Sequence, residues 1–282
     1  MRLKGILQRL LVLSAFFVLN AVLFGCQSTK VAQNVVEPYA LLNENSVLYM
    51  KIPVKDNKAM FVKIFDSFTE NGEKVRGLVY KDIDEIYMVQ RADDGGFEGI
   101  CKGNFPPSMV KNAEKYTEWK NHDFTAANGV NYKIYESDSS MQIAFVDKNT
   151  MCMSRNAAEI LNRYAVGAEM SENAARAKEK FEEMDSKNLL FLMANVYDFM
   201  DRDVAEKILP NLDCLYGFSY LKEDGTLDSD VYLEIKESTA QALNGVARVL
   251  HFILSVTGEN IVVEVEEDKE RIHLSHMNVF DF

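Results

Sequence analysis

Along this chain of 282 residues, apolar positions fall into short unbroken runs, alternating stretches and helical stripes. Val47, Leu48, Tyr49, Met50 and Ile52 form a run that predicts a strand of the buried type. Met60, Phe61, Ile64, Phe65 and Phe68 follow on one face at helical spacing and predict a helix. Ile83 to Val89 reads as a strand that turns at Asp94, Gly95 and Gly96 into another, Phe97 to Lys102. Pro106 and Pro107 introduce a short helix near Ser108 to Lys115, because proline is tolerated in a first helical turn. Four more strands are expected at Trp119 to Phe124, Val130 to Tyr135, Met141 to Val146 and Met151 to Met153, the first pair turning at Asn128 and Gly129.

Asn156 to Tyr164 and Glu172 to Met184 read as two helices, the second alanine-rich and charged, suited to a connector. A similar order then returns. Leu189 to Ala194 is a strand, Phe199 to Leu209 a helix ended by Pro210, and Leu212 to Leu221 a strand. Asp224 and Gly225 turn the chain into Val231 to Ile235, since Asp-Gly supplies the positive φ of a tight hairpin. A helix from Ser238 to about Thr257 and a hairpin of Ile261 to Val265 with Ile272 to Val279 close the chain. The nearest local match sets Ile83, Asp84, Glu85, Ile86, Tyr87 against Leu212, Asp213, Cys214, Leu215, Tyr216. Strand, helix, hairpin, helix, strand is the order of the split βαβ unit. The expectation is therefore an α+β fold of two tandem ferredoxin-like (βαββαβ-type) repeats with mainly antiparallel sheets, the first extended by extra strands. Residues 45–165 and 188–282 are the repeats, 166–187 the connector.

The first residues differ from all of this. Arg2, Lys4 and Arg9 precede an apolar stretch, Leu10 to Leu19, of signal length and shorter than the roughly 20 residues of a spanning helix. Leu23, Phe24, Gly25 and Cys26 then resemble the lipobox of bacterial lipoproteins, departing from it at Phe24, where a small or β-branched residue is usual. The resemblance implies a signal peptide of residues 1–25, cleavage before Cys26, a diacylglyceryl thioether on that cysteine and usually a third acyl chain, of the palmitate type, on its new amino group. Two or three chains suffice for stable anchoring. An uncleaved signal anchor and a plain secretory signal are the competing readings. Residues 26–44, with polar Gln27, Ser28, Thr29, Lys30, Gln33 and Asn34 before Pro38, read as a tether. The body also resembles bacterial extracytoplasmic lipoproteins with two α+β repeats, a likeness of architecture that brings no residue of known activity.

Cleavage would take three positive charges from a net charge of −12, leaving −15 on 257 residues. Such acidity argues against nucleic acid and against a basic patch on anionic lipid. Cys101, Cys152 and Cys214 each sit in an apolar stretch and none forms a close pair in sequence. They read as small buried hydrophobes, with one disulfide as the alternative.

Candidate chemistry is thin. His273 and His276 with Glu264, Glu266 and Asp268 are the candidates for a metal, but strand residues three apart point to opposite faces. His122 and Asp123 are adjacent, which is wrong for an acid-base pair, and His251 among Leu250, Phe252, Ile253 and Leu254 reads as a partly buried packing residue. Gly95, Gly96 and Gly99 lie in a hairpin and not between a strand and a helix, so they read as turn and close-packing glycines. Acidic clusters at Asp82, Asp84, Glu85, at Asp93, Asp94 and at Glu264 to Asp268 lack the ligand alternation of a calcium loop. Nucleophile elbows, zincin, Walker and dinucleotide motifs are missing from the sequence. Phe61, Phe65, Phe68, Trp119, Phe124, Tyr132 and Tyr135 read as core, with a groove for a lipid or peptide as the alternative. The sequence thus points to a lipid-anchored module on the periplasmic or cell-surface side, binding a partner or serving the envelope, with no catalytic residue, metal or cofactor expected. A carrier of an apolar ligand and a hydrolase built around His122, His251, His273 or His276 are the alternatives.

Overall fold

The structure, a computed structural model, describes residues 36–61, 82–106, 120–137, 140–194, 212–236, 239–257, 261–277 and Val279. Contacts divide the chain into Met1–Val36 and Glu37–Phe282, and the second unit is described here. The leader with Cys26, the helix expected beyond Phe61 and those expected at 108–115 and 199–209 lie outside the described residues.

Twelve strands are described: β1 (Ser46–Ile52), β2 (Ile83–Arg91), β3 (Phe97–Gly103), β4 (Lys120–Thr125), β5 (Asn131–Glu136), β6 (Gln142–Asp147), β7 (Thr150–Ser154), β8 (Leu189–Met193), β9 (Leu212–Leu221), β10 (Leu227–Ile235), β11 (Val262–Glu266) and β12 (Arg271–Met277). They form one sheet in the order β11-β12-β10-β9-β8-β1-β2-β3-β7-β6-β5-β4. The unbroken apolar runs become its two middle strands, β1 and β8, where both faces are covered. Helices α1 (Ala157–Val166), α2 (Glu172–Glu182) and α3 (Ala240–Thr257) pack on it. None of the described helices is long and apolar enough to cross a membrane.

Every neighbouring pair is antiparallel. This corrects the ferredoxin-like expectation. In a split βαβ unit a crossover helix joins parallel strands. Here the first strand of each half lies antiparallel beside the near arm of its hairpin, β1 beside β2 and β8 beside β9. The order of elements permits either pairing, because it does not state which arm the first strand meets.

The halves nonetheless share a plan. The third strand of each pairs with its last, β3 with β7 and β10 with β12, and the remaining strands continue outward. Met50 stands opposite Met88, and Phe191 opposite Gly217. The match of Tyr87 with Tyr216 sets Met88 on Gly217, so Met50 and Phe191 correspond. Those two residues also face each other across the β1/β8 seam. The strand order is thus alike on both sides of the seam, β1-β2-β3-β7 on one and β8-β9-β10-β12 on the other.

Alternation along the strands sorts side chains onto two faces. On one, Leu48, Met50, Ile52, Phe191, Leu233 and Ile272 form a core with Leu243, Ala247 and Leu250 of α3. On the other, α1 lies against β6 and β7, and α2 against β8 and β1. Tyr39, in the 3₁₀ turn Pro38–Leu41, completes that cover: its ring meets Tyr49, Tyr87 and Phe181, and its hydroxyl donates to the Met50 carbonyl at 2.9 Å. Ser171 caps α2 by accepting from the Ala174 N–H, and Gly167 ends α1 at φ +71°. The expected turns at Gly95, Gly129 and Gly225 all hold a glycine at positive φ.

Candidate functional site

On the second face, among the described helices, α1 lies over β6 and β7 and α2 over β8 and β1, and α2 reaches on to β9 and β10 through Arg176 and Lys180. Alternation sends Cys214, Tyr216 and Phe218 of β9 and Asp228, Asp230, Tyr232 and Glu234 of β10 to that face, opposite the apolar Val231, Leu233 and Ile235. Register then builds rows across the strands. Tyr216, Tyr232 and His273 stand side by side in one row, and Cys214, Glu234, Arg271 and Glu266 in the next.

Rings and cations interleave here. The Tyr232 and His273 rings stack at 4.7 Å, and the Arg271 guanidinium lies 3.9 Å from the Tyr232 centroid and 5.9 Å from that of Tyr216. Lys180 of α2 lies 5.0 Å from the Tyr216 ring. Arg271, 8% exposed, donates from Nε to Glu266 at 2.7 Å and from Nη1 to the Tyr216 hydroxyl at 2.6 Å. The same hydroxyl donates to Glu234 at 3.0 Å, and Lys180 bonds Glu234 at 2.6 Å. Burial opposes the charge of Glu234, but Lys180, Tyr216 and Cys214 outweigh it and hold the carboxyl below its usual range. Burial raises the Tyr216 hydroxyl, with the Glu234 charge adding to it, so this group stays a neutral donor.

A cleft of about 320 Å³ opens over these rows. Tyr216, Phe218 and Tyr232 form its floor, Lys269 of the β11–β12 turn and Arg271 at the start of β12 border it on one side, and Glu183, Met184 and Asp185 border it from the segment after α2. Because the strands run β12-β10-β9-β8, the basic pair and the acidic pair stand on opposite sides of the floor.

The histidines named from sequence separate. His122 and Asp123 are exposed on β4, and His251 is exposed on α3 rather than packed, since Leu243, Ala247 and Leu250 supply the buried stripe. His273 bonds Asp230 at 2.9 Å, with Glu264 at 3.9 Å from its other ring nitrogen. His276 has φ +64°, which breaks the alternation of β12, and its ring reaches Asp228 at 3.1 Å. Glu266 is taken by Arg271, and Asp268 lies exposed in the 3₁₀ turn Glu267–Lys269. The candidate metal set is thus brought together only as far as His273 and Glu264.

Among the described residues another donor cluster exists at Asp213, Cys214 and Glu234. Arg176 bonds Asp213, Lys236 meets Asp213 at 2.9 Å, and Lys180 holds Glu234, so cations already neutralise both carboxylates. Burial pushes the Cys214 thiol up to about 11, which keeps it protonated. Cys101, Cys152 and Cys214 are free and buried. Cys101 stands opposite Met151 and Cys152 opposite Ile100, so those two, one residue out of step on adjacent strands, point to opposite faces and cannot bridge.

Sequence reasoning missed Arg271, Tyr216, Tyr232 and Asp230. The available signal was the polar alternation Asp228, Asp230, Tyr232, Glu234, where an apolar partner face predicts a second, chemically rich one.

With this geometry in hand, comparison with known families gives a match over residues 33–270 to the family described as outer membrane-associated lipoprotein TP0453. The chain belongs to this family. Among curated proteins none matches the sequence. Three solved structures of TP0453 share the fold: crystal form III at TM-score 0.59 and 14% identity, form I at 0.60 and 13%, and form IV at 0.59 and 14%. Each comparison covers 86% of this chain and 92 or 93% of the TP0453 chain. Family membership makes this chain a membrane-associated lipoprotein of the cell envelope. At such identity the shared fold carries no residue-level chemistry across.

Proposed function

We propose that the chain is exported, cut before Cys26 and held at the outer membrane by acyl chains on that cysteine, with Glu37–Phe282 acting as a binding or structural module of the envelope and not as an enzyme. The observation that carries this is the leader Leu23-Phe24-Gly25-Cys26 on a body of the outer membrane-associated lipoprotein family. Helix α3 supports a second contact with lipid. Its C-terminal part exposes Val249, Phe252 and Ile253, spaced three and four apart on one side, with Phe252 71% exposed. The same reading takes 45–165 and 188–282 as copies of one unit, supported by corresponding residues meeting at the seam.

Intact-mass analysis of membrane-extracted protein beside a Cys26→Ala variant tests the anchor. The expected product starts at Cys26 and carries acyl mass that the variant lacks. An uncleaved or unacylated product overturns the proposal.

A further inference from the structure

Arg271 poses a question that the anchor does not answer. A guanidinium this removed from water is costly unless its charge and donors are used, and this one lies on the β9–β10–β12 stretch, which α2 reaches through Arg176 and Lys180. Glu266 and the Tyr216 hydroxyl take Nε and Nη1, and Tyr232 stacks on its plane. These contacts fix the group at the edge of the cleft beside Lys269, which shares Glu266 with it at 3.3 Å, so the two cations leave one net positive charge on this border.

The opposite border carries Glu183 and Asp185, so the cleft is polarised across an aromatic floor. A simple anion would meet those carboxylates, and a simple cation would meet Lys269 and Arg271. A ligand bearing both charges, held apart, with an apolar group between them for Phe218 and Tyr232, satisfies every side. At about 320 Å³ the space is at the small end of ligand pockets, so the ligand is small.

We propose that this cleft binds a short zwitterionic peptide, its carboxylate on Arg271 and Lys269, its amine towards Glu183 and Asp185, and an apolar side chain on the aromatic floor. The peptide need not be modified, and no covalent step is involved. The site is independent of the acyl anchor, so loss of lipidation leaves it intact.

Calorimetric titration of the full chain in detergent with the dipeptide alanyl-phenylalanine, its N-acetyl form and its C-terminal amide tests the assignment. Saturable binding of the dipeptide is expected, weakened about tenfold by either cap, which corresponds to about 1.4 kcal/mol. Asp185→Asn should remove the discrimination against the acetylated form, and Lys269→Gln should reduce that against the amide. Both residues are exposed, so the thermal melt of each variant should match the parent. No saturable heat at millimolar dipeptide, equal binding of all three forms, or tighter binding of inorganic phosphate than of the dipeptide would overturn the proposal.

Discussion

Glu98 is a buried carboxylate of the first half held between two arginines. It is 1% exposed on β3, with Oε2 at 2.8 Å from Arg163 of α1 and Oε1 at 3.7 Å from Arg91, the latter oxygen making no hydrogen bond among the described residues. Burial raises its carboxyl above the usual range, against the pull of Arg163 and Arg91. A folded-state value above the unfolded one means that the native protein binds the extra proton, so this group's contribution to stability falls as pH rises through that window. Glu98→Gln imitates the protonated form. Its melting temperature should gain on that of the parent as pH rises from mildly acidic to neutral. A gap that widens in the other direction would show the ion pair with Arg163 to dominate. Gly217 is constrained by space. A Cβ there would lie 2.1 Å from the Asp230 carbonyl oxygen and 3.1 Å from the Phe191 ring, so Gly217→Ala should cost about 1–3 kcal/mol in a urea titration.

At the scale of elements, the sequence was most legible where one pattern decides the outcome. The runs at Val47–Ile52 and Leu189–Ala194 became middle strands, and Asp94-Gly95 and Asp224-Gly225 became hairpin turns. β10 was read from Val231, yet it begins at Leu227. The run Asp228-Ser229-Asp230 looks like a turn, but Asp228 is drawn inside by Lys222 at 2.9 Å and His276 at 3.1 Å, and its carboxyl lies below the usual range because those bonds outweigh its burial. Pairing was not legible, since which arm of a hairpin a distant strand meets depends on contacts no local pattern records. The cleft was illegible for the same reason: its floor and borders come from β9, β10, β12 and the segment after α2. Helix α3 carries a further expectation. If Val249, Phe252 and Ile253 rest on lipid, the unlipidated Cys26→Ala chain should still float with phospholipid vesicles, and adding Phe252→Asp should abolish most of that flotation. Equal flotation of both would exclude α3 as the contact.

For the whole molecule, the β1/β8 seam makes one sheet of two halves. Backbone hydrogen bonds and both faces run through it unbroken, and Phe191 packs into the same core as Met50. Phe191→Ala, expected to cost about 3–5 kcal/mol, should therefore speed hydrogen exchange in β2 and β3 as well as in β9 and β10. Loss of protection confined to β8–β12 would mean that the halves unfold separately.

That seam has a consequence for how such a body could arise. Because corresponding residues meet across it, a lone half would offer a strand whose best partner is another copy of itself, as in an isologous dimer. Fusing two such copies removes the need for identity. On that reading one half would be free to place a glycine opposite its central aromatic residue and to raise a charged, ring-lined surface, while the other keeps methionine and extra strands, so that a frame of two like halves could hold a one-sided cleft.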